Sequence, residues 1–360
     1  MNSLKNMFAV VGVGLYSIAG LASAQAAQTA PPNWPWRGAN IESMVYGTPA
    51  NIDNLATLKV NAVSLTFAVR TVAKFQNMTP DQAWNKYIAW ADQMLDECKK
   101  HGMVAILTFN QMPSDPALGI TQDSPQFWNN PKLLQEAVYR AGLLAQHFNG
   151  RGNELGGYDM LNEPLETGVG VPPQWPALRD AMIKEIRKSD KTHYIVVTPG
   201  PGGEPSGYKD FKPVNDPRVV YSFHMYDPHI FTHQGVASYA MGASYPDPAN
   251  PELSKVGLAH AMQAVVDFKR KNNAYIYVGE FSAVRWANGA NQYLTDLIDL
   301  LDSDGFGWTY YSLGGYHAWN PSYDDQPSSD QPSELKQHYL GENTPRWQIL
   351  KQAFAKNPIQ

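Results

Sequence analysis

Two periodicities alternate along the chain. Uninterrupted apolar runs, the mark of strands buried on both faces, centre on Gly38–Ile41, Ala62–Phe67, Val104–Phe109, Gly157–Leu161, Tyr194–Thr198, Val219–His224, Ile276–Glu280 and Gly307–Tyr311. Between several of them apolar residues recur at helical spacing. One such segment opens with Thr79 as N-cap, Pro80 at the first helical position and Gln82 closing a capping box, and it stops at Gly102. Another opens at Asn130-Pro131 and carries Leu134, Ala137, Val138, Ala141, Leu144, Ala145 and Phe148 on one stripe. Two more run from about Ser254 to Lys271 and from about Asn291 to Ser303. Eight apolar strands, each followed by a helix or a helix-sized segment, predict an α/β fold, a single (β/α)8 TIM barrel. A doubly wound open sheet competes, but no G-x-G-x-x-G opens the first strand–helix turn. The stretch Pro321–Pro332 reads as a long loop after the eighth strand rather than a domain boundary.

The first two dozen residues do not fit this pattern. Lys5 precedes an apolar run from Met7 to Ala22, and Ala22-Ser23-Ala24 is a small-x-small cleavage signal. Residues 1–24 are therefore expected to be a signal peptide and 25–360 the barrel domain, in a protein that is secreted or periplasmic. The run is shorter and richer in Gly and Ser than a spanning helix, so no membrane attachment is expected after cleavage.

Charged residues make up only 17% of the chain against 43% hydrophobic, a balance that excludes a disordered chain. The formal net charge of −5, with no basic stripe, argues against nucleic acid and suits a neutral polymer. Cys98 is the only cysteine, so no internal disulfide can form. It falls in the apolar stripe Trp84, Tyr87, Ile88, Ala91, Met94, Leu95, and burial as a small hydrophobe is expected.

Two apolar runs end on glutamate: Tyr158-Asp159-Met160-Leu161-Asn162-Glu163 and Tyr275-Ile276-Tyr277-Val278-Gly279-Glu280. A single glutamate at a strand end is by default solvated or ion-paired. Two at the catalytic face of one barrel suggest carboxylates converging on one site, as glycoside hydrolysis requires. His229 and His233 stand four apart, but with no helix expected there and no H-E-x-x-H, metal ligation is not expected. No G-x-S-x-G elbow supports a serine hydrolase.

In this order and spacing the motifs resemble glycoside hydrolase family 5, the cellulase and mannanase family, over most of the chain after the expected signal peptide. Leu161-Asn162-Glu163-Pro164 resembles the family's acid/base motif and Val278-Gly279-Glu280-Phe281 its nucleophile motif. Phe223-His224-Met225-Tyr226 is similar to its His-x-Tyr, and Trp36-Arg37-Gly38-Ala39-Asn40 to its first strand. The resemblance implies a retaining hydrolase with Glu163 as acid/base, Glu280 as nucleophile and no cofactor or metal. It further implies that Tyr226 donates to Glu280, that Asn162 bonds the sugar 2-hydroxyl, and that Trp308 stacks beneath the sugar at the cleavage point. His224, Asn110 and Trp319 complete the expected substrate-binding set. Two positions depart from the pattern: Ser64 stands where the family carries Arg, and Asn110 where it carries His. Arg70 and Arg285 are candidates to supply the missing charge. Tyr316, Trp319 and Tyr323 read equally well as sugar-stacking platforms or as loop packing, and Glu42 and Glu166 as sugar contacts or solvated carboxylates. The function expected is endo-β-1,4-glucanase action on polysaccharide by a monomer. The alternatives are a β-mannanase, an exo-β-glucosidase, or a carbohydrate-binding barrel that has lost turnover.

Overall fold

The computed structural model describes residues 29–111 and 120–358; the expected signal peptide lies outside them. Eight parallel strands close into a barrel in sequence order. They are β1 (Arg37–Ile41), β2 (Ala62–Ala68), β3 (Val104–Gln111), β4 (Leu155–Asp159), β5 (Tyr194–Val197), β6 (Val219–Met225), β7 (Tyr275–Phe281) and β8 (Gly307–Leu313). Helices follow on the outside. In Pro80–Lys100 the capping box is closed in both directions, Gln82 N–H donating to Thr79 Oγ1 at 3.2 Å and Thr79 N–H to Gln82 Oε1 at 2.9 Å. Cys98 is buried on its inner face, and burial raises the thiol pKa well above its usual range.

Two elements differ from the pattern in the sequence. The apolar run expected at Gly157–Leu161 pairs two residues earlier, so the ladder ends at Asp159. Met160 and Leu161 stay buried but leave the ladder, and the chain re-engages β3 through Asn162 N–H to Phe109 C=O at 2.8 Å. The helix expected over Ser254–Lys271 is two, Lys255–Ala261 and Gln263–Asn272, jointed at Met262. Leu258, Met262, Val265 and Phe268 all stay buried, so the apolar period runs straight across the break.

Trp36, Ala62, Val104, Ile106, Tyr194, Val196, Val220 and Tyr277 form an interior cluster separate from the larger core around the barrel. The amino end is closed by aromatic edges: Trp34 on Trp36 at 5.3 Å, Trp36 on Tyr277 at 5.3 Å and Trp34 on Tyr275 at 5.2 Å. Towards the carboxyl end the inward residues turn polar, with Asn40, Ser64, Thr108, Asp159, Ser222 and His224 all buried. Active sites of this fold sit at that end. Among the described residues, no helix is long and apolar enough to cross a membrane.

Candidate active site

A cavity of about 360 Å³ opens at the carboxyl ends of the strands. Its lining contains Asn110, Asn162, Glu163, His224, Tyr226, Glu280 and Trp319, so seven of the eight residues singled out in the sequence meet there.

Glu163 follows β4 with φ of +50°, a left-handed backbone that is unusual for glutamate. Its side chain is 40% exposed and reaches His224, whose Nδ1 lies 2.7 Å from Oε1. Glu280, near the end of β7, is only 9% exposed. The Tyr226 hydroxyl donates to its Oε2 at 3.0 Å, and His224 Nδ1 stands 3.8 Å from the same oxygen. Carboxylate oxygens of Glu163 and Glu280 come within 4.8 Å of each other. The imidazole between them has room because two neighbours lack side chains. A Cβ on Gly279 would sit 2.9 Å from His224 Nε2, and one on Gly203 would meet the ring at 3.3 Å.

Burial raises the pKa of Glu280 well above the usual carboxylate range, and Glu163 and Glu42 push the same way; His224 and Tyr226 oppose them. His224 also shifts upward, against the direction its burial sets. Its burial favours the neutral ring, but Glu280, Glu163 and Asp159 outweigh that and raise its pKa to about 9. Glu163, His224 and Glu280 lie close enough to hold a cation. Ligation would require the imidazole to give up the proton that these acids stabilise, so the protonated, ion-paired arrangement is favoured at neutral pH.

The expected Trp308 is not in the site. It is 0% exposed on the outer face of β8, stacked on Phe354 at 5.7 Å, edge-on to Phe281 at 5.6 Å, with Nε1 donating to Asp302 at 3.2 Å. Side chains alternate along a strand. Gly307 lies against the Trp34–Trp36 plug and Tyr311 lines the cavity, so Trp308 between them must point outward. Tyr311 is the β8 aromatic at the cleft; the strand-end rule that selected the two glutamates selects it as well.

Neither candidate arginine replaces the charge absent at Ser64. Arg70 is bonded to Ile120 C=O at 2.9 Å, and Arg285 to Asp324 and His317. Ser64 itself hydrogen-bonds Thr108 at 2.9 Å inside the barrel. Glu42 accepts from Ser312 at 3.0 Å, and burial raises its pKa. Glu166 is buried in a turn that bridges back to Gly170. Tyr316 packs against Trp319, whereas Tyr323 packs on Tyr339 away from the cavity lining. Leu165, Gly202 and Glu204 join the lining from loops, and His229 and His233 from the two ends of a short helix, His229–Thr232, where none was expected.

Residues 24–317 match the family model described as cellulase, glycosyl hydrolase family 5. The chain is 22% identical over 301 residues to endoglucanase C of Acetivibrio thermocellus, covering 76% of this chain and 83% of that one. It is 22% identical over 302 residues to endoglucanase 3 of Fibrobacter succinogenes, covering 74% and 43%. Among solved structures, endoglucanase Cel5A from Thermotoga maritima superposes with a TM-score of 0.68 at 18% identity, covering 90% of this chain and 98% of that one. Matched over most of its length by the family model, with paired glutamates at the carboxyl ends of a closed barrel, the chain belongs to glycosyl hydrolase family 5 and is a glycosidase.

Proposed function

We propose that this glycosidase is a secreted, monomeric endo-β-1,4-glucanase in which Glu163 and Glu280 carry the reaction. One observation carries the reading: two carboxylates within 4.8 Å of each other, bridged by His224, in an open cleft. Retaining hydrolysis needs carboxyls about 5 to 5.5 Å apart, and inversion needs a wider gap for water. Glu280 attacks the anomeric carbon as the Glu163 proton passes to the leaving oxygen, breaking the glycosidic bond and forming a glycosyl ester. Glu163 then takes a proton from water, whose oxygen displaces Glu280 from the sugar. The Tyr226 hydroxyl and the His224 imidazolium stabilise the nucleophile as an anion. Asn162, which lines the cleft beside Glu163, bonds the sugar 2-hydroxyl in this reading. Tyr311 and Trp319 supply the aromatic faces for the ring. The names of the relatives support a glucan backbone, and the apolar run from Met7 to Ala22 supports export.

The test is Glu280→Ala and Glu163→Gln on soluble β-glucans. The first is expected to lower kcat more than about a thousandfold, the second about 100- to 10,000-fold. Near-wild-type hydrolysis by either variant would end the assignment. Chromatography of products from glucan, mannan and short oligosaccharides separates endo-glucanase action from mannanase and exo-glucosidase action.

A further inference from the structure

The two-glutamate reaction leaves Arg285 and the loop Pro321–Pro332 without a task, and the structure brings the two together. The Arg285 side chain is 0% exposed and lies outside the lining of the catalytic cavity. A guanidinium withdrawn from water is costly unless acceptors surround it. Here Nη1 donates to Asp324 C=O at 2.8 Å, and Nε and Nη2 donate to His317 Nδ1 at 3.3 and 3.2 Å. Because His317 Nδ1 accepts, the ring proton is on Nε2, which pairs with Asp330. On the far side of Asp324, His338 Nδ1 lies 2.7 Å from Oδ1, and the Asp324 N–H donates to His338 C=O at 2.8 Å. A loop rich in Asp, Ser and Pro is thereby pinned, at Asp324 and Asp330, beside the segment that follows β7. The loop and that segment enclose a second cavity, of about 350 Å³, at the same end of the barrel as the glutamates. Trp286, Asn288 and Asn291 line one side, and Asp325 and Gln326 the other. An indole, amides and a carboxylate suit a neutral sugar, whose ring stacks on aromatic faces and whose hydroxyls both donate and accept. With Arg285 paired to Asp324 at 3.4 Å and Asp325 in the wall, an anion is disfavoured.

This cavity is tied to the catalytic cleft on two sides. Trp286 Nε1 donates to Gln234 C=O at 2.9 Å, next to His233 of the cleft lining. The Arg285 N–H donates to Ala318 C=O at 2.7 Å, next to Trp319 of the same lining. Rings run from one cavity to the other: Trp319 to Tyr316 at 5.6 Å, Tyr316 to His317 at 4.7 Å, and His317 to Trp286 at 6.0 Å. Tyr316 stands 38% exposed between the two. We propose that the second cavity is a distal subsite for the glucan chain, holding sugar units of a polymer whose scissile bond lies at Glu163 and Glu280. Trp286 is its stacking platform, and Asp325 and Gln326 bond hydroxyls. The proposal rests on the endo-glucanase reading above and deepens it. A contact so far from the reacting bond is made equally in ground and transition states, so it lowers KM and leaves kcat alone. Only a chain long enough to occupy both cavities gains from it.

The experiment compares Trp286→Ala and Gln326→Ala with the wild-type chain on soluble β-1,4-glucan and on its tetrasaccharide. KM for the polymer is expected to rise about fivefold to tenfold in Trp286→Ala and about threefold in Gln326→Ala. The ratio of polymer to tetrasaccharide kcat/KM should fall by the same factors. An equal loss on both substrates, or no change in either variant, would overturn the proposal, the former marking a structural role. Gln326 is exposed on the loop, so its variant decides the matter should Trp286→Ala fail to fold. Binding is read without turnover by migration of Glu280→Ala through gels cast with the same glucan. Adding Trp286→Ala or Gln326→Ala is expected to weaken the retardation, and retardation unchanged by both would also overturn the subsite. Failure of the glycosidase mechanism, seen as activity surviving Glu280→Ala, is thus separate from failure of the distal cavity.

Discussion

At the amino end of the barrel, Trp34, Trp36, Tyr275 and Tyr277 pack edge to face and the Trp36 Nε1 donates to Pro32 C=O at 2.7 Å. At the carboxyl end the barrel strands carry Asp159, His224 and Glu280, and buried polar atoms of Asp159, Asn162, Thr198 and Ser222 lack partners among the described residues. One end is apolar and its indole is satisfied; the other holds charges at perturbed pKa values and hydrogen-bonding capacity unused by the protein. The difference teaches that stability and chemistry are separated along one axis. Burial that is favourable for rings at the closed end is unfavourable for carboxylates at the open one. Preorganised polar groups are kept there because they act on charge developing in a substrate.

That separation can be broken from either end. Trp36→Ala should have the largest effect on stability, about 3–5 kcal/mol from loss of a fully buried indole. The folded fraction should keep the wild-type kcat and pH profile, measured by denaturant melts beside kinetics. A shifted profile would mean that the plug and the site are coupled. Tyr226→Phe should do the reverse. Losing a hydrogen bond to a charged group, worth about 1.5–3 kcal/mol, should cost about 10- to 100-fold in kcat. Its Tm should change little, since the phenyl ring remains to fill the space. Trp308→Phe should have the smallest effect on activity, with kcat/KM within about twofold. Loss of the bond to Asp302, about 1 kcal/mol, should lower Tm by a few degrees. A large loss of activity in that variant would return Trp308 to the cleft.

The barrel was legible because strands buried on both faces are written as continuous apolar runs, and all eight runs became strands. Boundaries were less so. Met160 and Leu161 are as buried off the ladder as they would be on it, and Met262 keeps the helical period while its backbone turns. In the site, Glu163 and Glu280 were found because a carboxylate after an apolar run is a local contradiction that only a cleft resolves. Trp308 was misplaced because resemblance chose the residue type where alternation would have chosen Tyr311. Glu204 sits on a loop, and His229 and His233 at the ends of a four-residue helix too short to leave a period in the sequence.

The single thiol has a practical consequence. Cys98 is sealed between the helix Pro80–Lys100 and the barrel wall, and its raised pKa disfavours the reactive thiolate. An alkylating reagent can therefore reach it only when that helix lifts away. Its modification rate becomes a clock for breathing of the scaffold, independent of any event in the sugar cleft.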